Sequence, residues 1–192
     1  MTEASKPSNW NAPNIITGVR ILAAPFVFWL VLIAGDDVAL RWWATALFVL
    51  VIATDGIDGA IARKHGLVTD LGKILDPIAD KLVTNGVLIC LSILGQLPWW
   101  VTGIIVLREV GITIWRLVEV RRGNVVPASS GGKLKTIAQS VAIPLAIAPL
   151  PLMLGGWMNS VNAFFMTIAF ALTVWTGVVY LRDAIALRKT AS

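Results

Sequence analysis

The chain has 192 residues, of which 57% are apolar and only 14% are charged, and its mean hydropathy is +0.79. A soluble domain carries about 25% charged residues, so the composition excludes an ordinary water-soluble enzyme, a disordered chain and a typical nucleic-acid-binding protein. The net charge of +5 therefore has to be explained within a membrane protein.

Six apolar stretches follow one another along the chain, at about 15–34, 42–62, 75–95, 98–118, 135–155 and 160–181. A helix needs about 20 mainly apolar residues to cross a bilayer. The sequence therefore predicts an all-α integral membrane protein whose residues 15–182 form one domain of six transmembrane helices. Residues 1–14 are too short and proline-broken to span, which predicts an interfacial N-terminal segment, and 183–192 form a basic cytoplasmic tail.

Lysine and arginine are distributed unevenly over the links between these stretches. The links 35–41, 95–98 and 155–160 contain Arg41 alone. The opposite links and the two termini contain all of the following: Lys6, Arg63, Lys64, Lys73, Arg121, Arg122, Lys133, Lys135, Arg182, Arg188 and Lys189. Cytoplasmic loops of membrane proteins are enriched in these residues, so both termini are predicted to be cytoplasmic, in a multi-pass protein of the plasma membrane.

Four aspartates lie at the predicted cytoplasmic ends of the second and third stretches. Asp55 and Asp58 are three residues apart and Asp76 and Asp80 are four apart, so each pair shares one helix face. Four carboxylates at one depth would repel one another unless cations neutralise them, and all-oxygen sites favour Mg²⁺ or Mn²⁺. The pattern predicts a site for two such ions. The alternative is that the aspartates only form ion pairs with Arg63, Lys73 and Lys81.

Residues 55–80 read DGIDGAIARKHGLVTDLGKILDPIAD. This segment resembles the signature of the CDP-alcohol phosphatidyltransferase family, D-x2-D-G-x2-A-R-x8-G-x3-D-x3-D, and fills each of its fixed positions. The resemblance extends over the whole chain, since that family has six spans with the signature across spans 2 and 3. It implies an active site at the cytoplasmic helix ends, a homodimer, and Asp80 as a shared metal ligand beside Asp55, Asp58 and Asp76.

The segments at 13–20, 108–113 and 132–139 are PNIITGVR, REVGIT and GKLKTIAQ, and they resemble the phosphatidylglycerophosphate synthases of that family. This implies transfer of a phosphatidyl group from CDP-diacylglycerol to sn-glycerol 3-phosphate. A phosphorylated acceptor needs fixed cations, and the candidates are Arg108, Arg116, Lys133 and Lys135. Other interpretations are positive-inside anchoring for Lys133 and Lys135, and an ion pair with Glu109 for Arg108.

Within that mechanism, Asp80 is the candidate general base for the acceptor hydroxyl. Gly59, Ala62 and Arg63 are the candidate donor contacts, joined by Asn14, Thr17 and Arg20 on the first stretch. Inositol phosphate, or phosphatidylglycerol to give cardiolipin, remain alternative acceptors. A divalent-cation transporter is the alternative from another class, but such sites usually lie near the membrane midplane between repeats, and no internal repeat is visible.

Overall fold

The computed structural model describes residues 11–65, 69–121 and 130–190. These residues form seven helices. Their bounds are α1 Ala12–Ile33, α2 Val38–His65, α3 Asp70–Ile93, α4 Trp99–Arg121, α5 Ser130–Ile147, α6 Leu150–Leu154 and α7 Trp157–Thr190. The all-helical prediction is therefore confirmed for the described part of the chain.

Each of the six apolar stretches overlaps one long helix, with bounds that differ by up to five residues at most helix ends, and the largest differences lie at the far ends of α5 and α7. The predicted fifth stretch is divided, because α5 ends at Ile147 and the five-residue α6 follows it in a proline-rich segment. Helix α7 has 34 residues and continues to Thr190, through most of the segment that the sequence assigns to a tail. The predicted interfacial segment falls largely on residues 1–10, which lie outside the described residues.

The helices pack into a single bundle in which neighbours in space are not always neighbours in the chain. Helix α1 packs against both α2 and α3, and α5 packs against α7. Between α1 and α3 the contact is tight, because a Cβ at Gly86 would clash with the ring of Phe28. The buried core between the helices is aliphatic, with Phe48, Leu88, Leu91, Ile105 and Ile143 among its largest side chains.

The outer surface of the bundle is apolar as well. Leu22 and Leu107 are 79% and 77% exposed, and many other leucines, isoleucines and tryptophans face outward. A surface of this kind is unstable in water and stable in lipid. Length and apolarity alone identify two of the described helices as candidate spans, Ala12–Ile33 and Trp157–Ile185, with Val38–Thr54 as a shorter apolar stretch. The protein is therefore a membrane protein, although composition alone does not mark all six long helices as spans.

The end of the bundle that contains the links 34–37, 94–98 and 148–156 differs from the end that contains the aspartates. The exposed tryptophans at that end are Trp42, Trp43, Trp99, Trp100 and Trp157. A cavity of about 720 Å³ opens at the same end, between Arg41, Trp100, Asn162 and Phe170. It is lined by none of the predicted site residues.

Candidate active site

The signature occupies the last turns of α2 and the first turns of α3. The α2 positions of the signature are Asp55, Asp58, Gly59, Ala62 and Arg63, and their side chains lie outside the described part of the structure. Thr69 caps the N-terminus of α3 by accepting a hydrogen bond from the backbone N–H of Gly72, at 3.0 Å. Asp76 and Asp80 follow on the second and third turns of that helix. The sequence therefore brings the two signature segments to the same end of the bundle, on α2 and α3.

The first turn of α1 is fastened to the first turn of α3. Asn14 Nδ2 donates to Thr69 Oγ1 at 2.8 Å, and Thr69 Oγ1 lies 3.2 Å from Asn14 Oδ1. The approach leaves no room for a side chain at Gly72, since a Cβ there would lie 2.6 Å from Asn14 Oδ1. Gly72, a fixed position of the signature, is thus required for the contact between the two helices.

One turn further along, α1 contacts a signature aspartate directly. The Thr17 hydroxyl donates to Asp76 Oδ1 at 2.6 Å and lies 3.1 Å from the carbonyl oxygen of Pro13. Thr17 is fully buried, and Arg20, one turn later, is buried too. Three residues that the sequence assigns to donor binding therefore lie on the face of α1 that meets α3 or the bundle interior: Asn14, Thr17 and Arg20.

Asp80 belongs to a cluster of charged side chains that is centred on the buried Glu109. Lys81 Nζ donates to Asp80 Oδ2 at 2.5 Å and lies 3.1 Å from Glu109 Oε2. Lys135 Nζ donates to Glu109 Oε1 at 2.6 Å, and Arg108 Nη1 donates to the same oxygen at 2.9 Å. Three cations from α3, α4 and α5 thus converge on one carboxylate. The group formed by Glu109, Lys81, Arg108, Lys135 and Asp80 is called the Glu109 cluster.

Helix α7 supports the cluster from behind. Arg108 Nη2 donates to Thr176 Oγ1 at 2.8 Å, and the guanidinium carbon lies 5.6 Å from the centre of the Tyr180 ring. A Cβ at Gly177 would lie 3.1 Å from Arg108 Cγ. The arginine is therefore held by hydrogen bonding, by cation–π attraction and by close packing.

The four predicted acceptor-binding cations occupy different environments. Arg108 and Lys135 belong to the Glu109 cluster, and Lys135 is only 2% exposed. Lys133 is exposed at the start of α5, and Arg116 is half-buried on α4, two turns beyond Arg108. The pair between Arg108 and Glu109, which the sequence offers as an alternative, is present in the structure.

The predicted metal site is only partly within the described residues. Among the side chains that the structure describes, no three from His, Cys, Asp and Glu come together. Asp55 and Asp58 are not among them, so the four-carboxylate cluster stays a prediction. Asp76 uses one oxygen for Thr17 and Asp80 uses one for Lys81. Each carboxylate keeps a second oxygen that has no partner among the described side chains, which fits the hard oxygen ligation of Mg²⁺ or Mn²⁺.

Three residues have structural roles in the site that the sequence analysis did not assign to them. Glu109 is the centre of the charge cluster, Lys81 connects it to Asp80, and Thr69 joins α1 to α3. Burial of a glutamate inside an apolar stretch costs free energy unless cations surround it. The position of Glu109 within such a stretch was therefore the sequence feature that could have identified it. For Thr69 the signal was a threonine directly before an aspartate at a helix start.

Comparison with known proteins gives one family for nearly the whole chain. The model of the CDP-alcohol phosphatidyltransferase family matches residues 10–175. A probable phosphatidylglycerophosphate synthase of Mycobacterium tuberculosis is 46% identical over 188 residues, which cover 95% of this chain and 87% of that protein. The CDP-diacylglycerol–glycerol-3-phosphate 3-phosphatidyltransferase of Bacillus subtilis is 36% identical over 195 residues, covering 95% of this chain and 100% of the relative. The enzyme of the same name from Rickettsia bellii is 36% identical over 185 residues, covering 90% and 94%.

Proposed function

The chain belongs to the CDP-alcohol phosphatidyltransferase family, and we propose that it transfers the phosphatidyl group of CDP-diacylglycerol to sn-glycerol 3-phosphate. The products are phosphatidylglycerol phosphate and CMP, and the reaction is a step of phospholipid biosynthesis. Relatives that are 36–46% identical over nearly the whole chain carry the name of this enzyme. The acceptor named for them contains a phosphate group.

The observation that supports the choice of acceptor is the convergence of Lys81, Arg108 and Lys135 on Glu109, with Lys81 also in contact with Asp80. A phosphate dianion is stabilised by several cations at close range, whereas a neutral alcohol gains little from them. The exposed Lys133 and the half-buried Arg116 extend this positive surface toward the same end. Inositol phosphate and phosphatidylglycerol also contain phosphate, and the names of the relatives favour glycerol 3-phosphate over both.

Asp55, Asp58, Asp76 and Asp80 would hold two divalent ions, Mg²⁺ or Mn²⁺. When bound, such ions neutralise the diphosphate of the donor and stabilise the departing CMP. Thr17 orients Asp76 through its hydrogen bond, and Lys81 orients Asp80. Both carboxylates are therefore fixed by neighbours that leave an oxygen available.

Asp80 accepts the proton of the 1-hydroxyl of glycerol 3-phosphate as that oxygen attacks the β-phosphorus of CDP-diacylglycerol. A general base must lie within hydrogen-bond reach of the proton that it removes, and Asp80 lies beside the cations that face the acceptor. The bond between the β-phosphorus and the oxygen of CMP breaks in the same displacement. Gly59 and Ala62 let the cytidine approach α2, and Arg63, Asn14, Thr17 and Arg20 complete the donor side.

The six long helices cross the plasma membrane with both chain termini in the cytoplasm. The apolar outer surface and the exposed tryptophans at the end opposite the aspartates support this arrangement, as does the uneven distribution of lysine and arginine. The acyl chains of the donor then lie in lipid while its nucleotide reaches the signature. The enzyme acts as a homodimer, as the family resemblance implies.

The test is an acceptor panel with the purified protein in liposomes that contain CDP-diacylglycerol. Radiolabelled glycerol 3-phosphate, inositol phosphate, glycerol and phosphatidylglycerol are supplied in turn, and the lipid product is identified by mass. We expect phosphatidylglycerol phosphate from the first acceptor at a rate far above the others. Formation of a different lipid would show that the enzyme uses another acceptor. Uptake of Mn²⁺ into the liposomes without any lipid product would favour a transporter.

A further inference from the structure

Glu109 lies in the interior of α4 and is 2% exposed, one helical turn from the buried aliphatic side chain of Ile105. An ionised carboxylate in such a place is stable only when cations surround it closely. Three do so: Lys81 from α3, Lys135 from α5 and Arg108 from α4 itself. No role follows for Glu109 from the signature, which ends at Asp80.

The arrangement of the cations depends on this carboxylate. Lys135 and Arg108 donate to the same oxygen, Oε1, and Lys81 approaches the other, Oε2. Three cations held around one point repel one another, and the repulsion is strong where water is scarce. Without the negative charge at their centre, the two flexible lysines would separate, whereas α7 would still hold Arg108 through Thr176 and Tyr180.

Glu109 also acts on the candidate base through one intermediate. Lys81 is shared between Glu109 Oε2 and Asp80 Oδ2, so the position of its ammonium group is set by both carboxylates. Asp80 and Lys81 are each about one-quarter exposed, whereas Glu109 is sealed behind them. Asp80 and Lys81 are thus the most accessible members of the cluster, while Glu109 and Lys135 are almost fully buried.

We propose that Glu109 is a positioning residue of the acceptor site, which holds Lys81 against Asp80 and keeps Lys135 and Arg108 converged for the acceptor phosphate. The proposal rests on the proposed function. Glu109 touches neither substrate; it assembles the cationic surface before the acceptor arrives, so binding energy is not spent on bringing the cations together. The donor, whose contacts lie on α1 and α2, should not depend on it.

The test compares Glu109→Gln and Glu109→Asp with the wild-type enzyme in the liposome assay, with both substrates varied. We expect Glu109→Gln to raise the KM for glycerol 3-phosphate about tenfold or more and to lower kcat, because contacts to charged groups are lost. The KM for CDP-diacylglycerol should stay within about twofold, since the donor contacts are elsewhere. Glu109→Asp keeps the charge and should recover part of the acceptor affinity.

Glu119→Gln is the matched control, because it neutralises a second buried carboxylate of α4, ten residues further along. It should leave the ratio of the two KM values unchanged. If Glu109→Gln does not fold, Glu109→Asp decides, and it should show the same separation of the two KM values on a smaller scale. Equal changes in both KM values, or unchanged kinetics, would overturn the proposal and leave Glu109 a role in the fold alone.

These outcomes are separable from a failure of the proposed function. A wild-type enzyme that does not use glycerol 3-phosphate disproves the proposed acceptor before any variant is compared. The positioning role is then decided with the phosphorylated acceptor that the panel identifies, by the same comparison of the two KM values.

Discussion

The hydroxyl of Thr17 donates a hydrogen bond to Oδ1 of Asp76, at 2.6 Å, and thereby links the first helix to a signature aspartate on the third. Thr17 lies 59 positions before Asp76 in the chain and is fully buried. The contact joins α1 to the proposed active site, although the signature itself lies on α2 and α3.

Replacing Thr17 with valine keeps the volume of the side chain and removes the donor to Asp76. A hydrogen bond to a charged group is worth about 1.5–3 kcal/mol, so the Mg²⁺ concentration for half-maximal activity should rise about tenfold. The measurement is a Mg²⁺ titration of transferase activity. Thr167→Val is the control, because the exposed Thr167 bonds only to the carbonyl oxygen of Ala163 on its own helix among the described residues. An unchanged requirement for Mg²⁺ in Thr17→Val would mean that Asp76 needs no orienting partner.

Gly72→Ala should destabilise the protein, since the new Cβ would meet Asn14 Oδ1 at 2.6 Å. Overpacking of this kind typically costs about 1–3 kcal/mol, and it should appear as a lower apparent Tm in detergent. Gly111→Ala has open space around its Cβ and should be neutral or stabilising by up to about 1 kcal/mol. If the clash is the cause, Asn14→Ala combined with Gly72→Ala should lose less stability than the sum of the single variants.

Removal of divalent ions should abolish turnover. The four signature aspartates offer only oxygen ligands, which favour Mg²⁺ or Mn²⁺ over zinc. Excess EDTA should stop the formation of phosphatidylglycerol phosphate, and Mg²⁺ or Mn²⁺ added back should restore it. Robust activity in the chelator would disprove the two-metal site.

Asp80→Asn and Asp58→Asn should differ in their response to metal. Asparagine at position 80 preserves the shape but cannot accept the proton, so kcat should fall about 10²–10⁴-fold, the usual contribution of general base catalysis. Asp58→Asn should instead weaken metal binding, and high Mg²⁺ should restore part of its activity. The experiment is a metal titration of both variants with CDP-diacylglycerol binding measured in parallel. If added Mg²⁺ restored the activity of both variants equally, Asp80 would be a metal ligand only. The proton of the acceptor hydroxyl would then leave by another route.

The helices and the location of the chemistry could be predicted from the sequence because both depend on local patterns. Apolar stretches of about 20 residues mark the long helices, and pairs of aspartates three or four residues apart share a helix face. The division between α5 and α6 was missed, because Pro144, Pro149 and Pro151 lie in a stretch whose apolarity is unbroken. Hydropathy does not register such a break, which depends on backbone hydrogen bonds.

Apart from the pair between Arg108 and Glu109 on one helix, the partners of the charged residues could not be predicted, since they depend on which helices become neighbours. The sequence places Glu109 and Lys135 in the fourth and fifth apolar stretches but does not say that α5 brings one to within 2.6 Å of the other. The predicted acceptor-binding cations were therefore all expected to bind the phosphate group of the acceptor. In the structure, Arg108 and Lys135 have a carboxylate partner within the protein.

The packing of α1 against α3, with α2 between them in the chain, constrains how the protein is made. A membrane protein is inserted from its N-terminus as it is synthesised, so α1 enters the bilayer well before its partner exists. Until α3 arrives, the hydroxyl of Thr17 lacks the carboxylate of Asp76, Asn14 lacks Thr69, and the ring of Phe28 lacks the groove at Gly86. These three contacts of α1 can therefore form only after α3 has been synthesised and has packed against it.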